Sequence, residues 1–132
     1  MSSARLRATV ARGRRKAEAL MTDTLLITRS SGNPVTNPDG TVTRPVQTVH
    51  AGVGRIQGRS TEGEDRTVAG ADVLIVTFQA QVPVGVDLRP SDQVEVTASQ
   101  MDPLMVGRTF RVESVVRKTH ATKTTANVEE GP

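Results

Sequence analysis

Catalytic chemistry would have to start from His50 and His120, the only histidines in this 132-residue chain. An imidazole works as a general base when a nucleophile and an orienting carboxylate stand within hydrogen-bond reach. Neither histidine has a nucleophile motif beside it. His50, in Val49-His50-Ala51, alternates outward from a strand, and His120 falls in a polar turn, so both read as structural. A triad would need distant residues to meet in the folded chain. The expectation is a protein that is not an enzyme.

Metal chemistry has one candidate, the acidic cluster Glu62, Glu64 and Asp65. A hard cation favours alternating oxygen ligands closed by a distant glutamate, and that pattern is missing. Arg59 and Arg66 flank the cluster, as in a solvated loop of mixed charge. Cysteine is absent, which excludes disulfides and thiolate metal sites. Gly52-Val53-Gly54 is too short for a phosphate-binding loop and no helix follows it, so it reads as a glycine-permitted bulge. No cofactor and no metal are expected.

Charge is the informative feature. The first twenty residues hold Arg5, Arg7, Arg12, Arg14, Arg15 and Lys16 against Glu18 alone, while the whole chain carries only +3. The remainder is therefore slightly acidic. Such a segment seeks a phosphate backbone or an acidic protein face. Phe78 and Phe110 are the only aromatics, so stacking on single strands has little to use. No zinc, helix-turn-helix or RNA-recognition signature accompanies the arginines. A membrane-surface helix would want large apolar residues opposite the charge, where this one has mainly alanine and valine. Docking on a protein is favoured, with a DNA-binding barrel as the alternative.

The elements that must carry these residues are mostly strands. Valine and threonine dominate the composition and suit a pleated, half-buried surface. Residues 3–21 read as one helix, capped by Ser2 or Ser3, with a narrow stripe of Leu6, Val10, Gly13, Ala17 and Leu20/Met21. Thr24–Arg29 reads as a strand, and Ser30–Gly40 as a loop ending in the turn Asn37-Pro38-Asp39-Gly40. Thr41–Ile56 follows as one long or two broken strands. Gly58–Gly70 has no apolar periodicity and reads as a mobile loop.

Val73–Val82 is the strongest strand and reads as central. Gln93–Ser99 alternates, with Val94, Val96 and Ala98 inward. Thr109–Lys118 alternates through Phe110 and Val112 towards Val116, and Thr124–Glu130 ends the chain through Ala126 and Val128. The expected fold is mainly β, a small barrel or sandwich of five to seven strands with one N-terminal α-helix. Residues 1–23 would form the basic helix and 24–132 the barrel domain, with its polar loop at 58–70. A core this poor in aromatics and lacking disulfides points to stabilisation by partners. No apolar run is long enough to span a bilayer, and the basic N-terminus lacks the apolar core of a secretion signal.

Several segments in order resemble the head-closure (stopper) group of head–tail connector proteins in long-tailed phages, especially those of actinobacteria. They are the basic helix entering the first strand (Arg14 to Thr24), Val49-His50-Ala51-Gly52-Val53-Gly54-Arg55-Ile56-Gln57, and Val82-Pro83 with Leu88-Arg89-Pro90-Ser91-Asp92-Gln93-Val94-Glu95-Val96. Asp102-Pro103-Leu104-Met105-Val106-Gly107-Arg108-Thr109-Phe110-Arg111-Val112 and the final strand complete the set. Ser91 stands where such proteins often have glycine, and His50 where an aromatic is common.

The resemblance implies a virion structural protein made in the host cytoplasm and placed at the head–tail junction. It would form a ring, commonly of twelve subunits, that joins the portal and adaptor to tail proteins and helps retain packaged DNA. Adaptor and tail-terminator roles at the same junction are the alternatives, and the adaptors' greater helix content favours the stopper. In that frame Arg5, Arg7, Arg12, Arg14, Arg15 and Lys16 would dock on a neighbour, with non-specific contact to packaged DNA as a second use. Arg59, Glu62, Glu64, Asp65 and Arg66 would lie on a loop that narrows the channel.

Overall fold

The computed structural model describes residues 3–68 and 71–131; at positions 59–68 and 71–76 it describes backbone only. Helix α1 spans Ser3–Ala19, built from alanine, leucine, arginine, lysine and glutamate, all strong helix formers. It stops two residues before the expected end. Its last turn tightens, with Leu20 N–H donating to the Ala17 carbonyl at 3.2 Å, and Met21 is then buried.

Eight strands follow: β1 (Asp23–Ser30), β2 (Val35–Thr36), β3 (Val42–Thr43), β4 (Val46–Val68), β5 (Ala71–Val82), β6 (Gln93–Ser99), β7 (Thr109–Val116) and β8 (Thr124–Glu130). Six close an antiparallel barrel in the order β1-β4-β5-β8-β7-β6, and β2 with β3 forms a separate two-stranded tab. The protein is thus a small β-barrel with one N-terminal helix. Closure leaves the barrel wall without an edge strand.

Each wall strand sends alternate residues inward. Leu25 and Ile27, Ala80 and Val82, Val94 and Val96, Phe110 and Val112, Ala126 and Val128 fill the interior, with Leu88 entering from the loop after β5. Phe78 and Phe110 meet at 5.3 Å between ring centres, tilted by 58°. The Arg108 guanidinium lies over both rings and forks onto Glu130, closing one end of the core.

Strand β4 is long because it serves two neighbours in succession. Val46–Gly54 pairs with β1, and from Arg55 onward it pairs with β5. Gly54 sits where the partners change. A side chain there would drive a Cβ to 2.8 Å from Leu25 Cγ and 3.1 Å from the Gln81 carbonyl. The glycine pair is therefore a close-approach device and not the expected bulge. The bulge falls at Val49, which is skipped between the pairs Ile27↔His50 and Thr28↔Thr48.

Three further expectations are corrected. Most of Gly58–Gly70 is strand: the backbone through Val68 belongs to β4, and it pairs with β5 up to Glu62 and again at Thr67 and Val68. The segment lacks apolar periodicity because β5 joins β8 only from Phe78 to Val82, so the outer hairpin has no other described strand beside it. Ala98 is exposed, because the pairing with β1 skips Thr97. Val116 is 49% exposed while Val115 packs on the core, because Glu113 is skipped between β7 and β8. A one-residue slip reverses every following side chain.

Candidate functional site

Helix α1 rests on the barrel through a narrow stripe. Leu6, Val10, Gly13 and Ala17 are half-buried, yet no helix residue is fully buried. The seat is the β7–β8 loop. Arg14 Nε donates to the Ala121 carbonyl at 3.2 Å, and a Cβ on Gly13 would lie 2.8 Å from Thr122 Cγ2. Glycine is what lets the helix approach this loop. Leu6, Arg7, Val10, Arg14 and His120 line the groove beside the contact.

The other cations are more open to solvent. Arg5, Arg7, Arg12, Arg15 and Lys16 are exposed, while Arg14 is half-buried by its loop contact. At 3.6 residues per turn, Arg5, Arg12, Arg15 and Lys16 share an arc of about 100° and span about 16 Å of axis. Ala8 lies inside that arc and leaves it open. Arg12 donates to Thr9 Oγ1 at 3.5 Å. Among the described residues Arg7, Arg12, Arg15 and Lys16 form no ion pair.

Two cations outside the helix lie on the loop that seats it, and they line a separate groove beside Asp87 and Arg117. Lys118 is exposed and Lys123 half-buried on the same loop that seats the helix. Neither makes an ion pair among the described residues, whereas neighbouring Arg117 reaches Asp87 at 3.4 Å. The signal was in the sequence: the run Arg117-Lys118-Thr119-His120-Ala121-Thr122-Lys123 is itself basic. What it lacked was any hint that the loop lies under a helix more than a hundred residues earlier.

The remaining candidates separate. His50 Nε2 lies 3.0 Å from the Val53 carbonyl of its own strand. His120 adopts φ 57° in the β7–β8 loop, a left-handed conformation in which histidine is enriched. Arg59, Glu62, Glu64, Asp65 and Arg66 have their backbones on β4 in the outer hairpin, and their side chains lie outside the described residues. On the barrel several carboxylates are matched by arginines. Arg108 holds the Glu130 carboxyl below the usual range by hydrogen bonding, and Arg111 does the same for Glu113. Among the described residues Arg7, Arg12, Arg15 and Lys16 of the helix and Lys118 and Lys123 of its loop stand without such a match.

Comparison with solved structures gives a match to the solution structure of protein SF1141 from Shigella flexneri 2a. The two are 13% identical, with a TM-score of 0.55, over 84% of this chain and 93% of that one. At that identity the likeness concerns the fold alone. Comparison with curated proteins gives no match. A family model covers residues 13–129, from the middle of α1 to the end of β8, and the chain belongs to that family, described as a family of unknown function (DUF6093).

Proposed function

We propose that this chain is a virion structural protein of the head–tail junction of a long-tailed phage, a head-closure subunit that assembles into a ring between portal or adaptor and tail. The observation that carries the reading is the helix. It adds no buried residue to the barrel and leaves Arg7, Arg12, Arg15 and Lys16 exposed, with no ion pair among the described residues, which suits a docking element better than a structural one. The barrel needs no edge strand to complete it, so neighbours can meet side by side in a closed ring. The β4–β5 hairpin, running past the wall, supplies an arm that can narrow a central channel and help retain DNA. The ordered resemblance of segments to stopper proteins supplies the biological setting.

In this reading Arg12, Arg15 and Lys16 meet an acidic face of an adjacent ring. The test is Arg12→Glu with Arg15→Glu, leaving Arg14 on its loop. The variant should fold with an unchanged melting midpoint and yield filled heads without tails, lowering infectious titre by at least a hundredfold. Normal titre would overturn the docking role. The unpaired Lys118 and Lys123 favour one rival, a barrel that grips duplex DNA. Tight binding to duplex that falls steeply with salt would replace the proposal, since counterion release sets that slope.

A further inference from the structure

The exposed apolar side chains are not scattered. Leu20, Met101, Leu104 and Val106 gather near the Asp23 end of β1, where Gln100 N–H donates to the Thr22 carbonyl at 3.2 Å. Met101 is 78% exposed and Leu104 is 85% exposed. Between them and the barrel runs an open groove of about 420 Å³, whose apolar lining includes Leu20, Ile56, Phe78, Met101 and Met105. Asp23, Arg55 and Asp102 also line it.

The second group lies at the other end of β1. Ser31 N–H donates to the Pro45 carbonyl at 2.9 Å and anchors the β2–β3 tab there, beside Val46. In the tab Val35 pairs with Thr43 and Val42 with Thr36, so the two valines occupy opposite faces, and both are more than half exposed. A two-stranded piece this short is marginal alone. With valine on each face, it gains most when inserted between two apolar walls. Arg44, exposed at its root, makes no ion pair among the described residues.

We infer that the β2–β3 tab of one copy seats in the Leu20–Met101 groove of the next copy of this chain. The tab brings apolar faces and a cation; the groove offers apolar walls and two carboxylates, Asp23 and Asp102, against one cation, Arg55. Seven residues of β1 separate the two sites, about 23 Å, so the contact joins different patches and is heterologous. Repetition gives a ring if the rotation closes and an open chain if it does not. The inference deepens the ring reading by naming its subunit contact, and rests on that reading for closure only.

A cysteine-free chain makes the test direct. Val42→Cys and Met101→Cys are prepared as separate, folded proteins and oxidised alone and mixed at about millimolar concentration. The mixture should give disulfide-linked dimers at least tenfold in excess of either variant alone, and a chain carrying both substitutions should give a ladder. Dimers from Met101→Cys alone would mean groove against groove, and overturn the contact. A mixture that stays monomeric would also overturn it, and leave the helix-docking test untouched. A ladder of open chains would keep the contact and remove the ring. As a second arm, Val35→Asp with Val42→Asp should weaken self-association by at least tenfold in sedimentation; unchanged association overturns the inference.

Discussion

Asp92 shows how one buried charge can organise a loop. It is 1% exposed and accepts from Arg29 Nε at 2.8 Å, Arg29 Nη2 at 2.9 Å and the Arg89 N–H at 2.8 Å. Arg29 also reaches the Asp87 carbonyl at 2.7 Å, so one guanidinium ties the loop after β5 to β1 and holds Leu88 in the core. Ser91 completes the turn at φ 75°, a left-handed conformation that glycine adopts more easily. Asp92→Ala would leave Arg29 without its carboxylate and should lower the unfolding free energy by about 3 kcal/mol, read by urea titration. A loss below about 1 kcal/mol would mean that water replaces the pair. Pro90-Ser91-Asp92 is legible as a turn. Its partner, 63 residues away, is not, because nothing local in a sequence marks a long-range ion pair.

At the scale of elements, alternation located the barrel strands well, and bulges limited how far each reading could run. Val94, Val96, Phe110, Val112, Ala126 and Val128 are all buried as their spacing implies. Ala98 and Val116 fail because Thr97 and Glu113 are skipped in pairing, and neither position carries a glycine to announce it. The β4 half of the hairpin lacks a hydrophobic period for a different reason: beyond β5 it has no other described strand beside it. The cationic half of the candidate site was legible in the helix, while Lys118 and Lys123 needed the fold to bring their loop beneath it. Gly13 tests that placement. Glycine inside a helix costs about 1 kcal/mol relative to alanine, yet here it admits Thr122. Gly13→Leu should push the helix off the loop and break the Arg14–Ala121 bond. Trypsin should then cut at the helix arginines several-fold faster while the barrel melts as before. Unchanged cleavage would mean that the loop does not hold the helix.

Across the whole molecule, charge divides into two regimes, and acid should separate them. In the barrel Asp87 is held below the usual carboxylate range by hydrogen bonds from Arg89, Glu113 by Arg111 and Glu130 by Arg108. Asp39, in the turn before β3, is lowered by the Thr41 hydroxyl. A carboxyl whose folded value is depressed contributes stability that is complete above its unfolded value and is lost as pH falls through the folded one. These four therefore stabilise the native state at neutral pH and withdraw that support together in acid. Neutralising them also leaves the arginines unopposed, so self-repulsion adds to the loss. Helix α1 has Glu18 as its only acidic residue, and none of these four carboxyls lies on it. The melting midpoint should stay nearly level from about pH 7 to about pH 5 and fall between about pH 5 and about pH 3. Glu130→Gln should shallow the fall, because one of the titrating partners is already gone. A midpoint level down to about pH 3 would show that the arginine–carboxylate pairs on the barrel wall hold little of the fold. Its stability would then rest on the valine-rich interior alone, and a subunit so independent of its surface charge would have less to gain from neighbours in a ring.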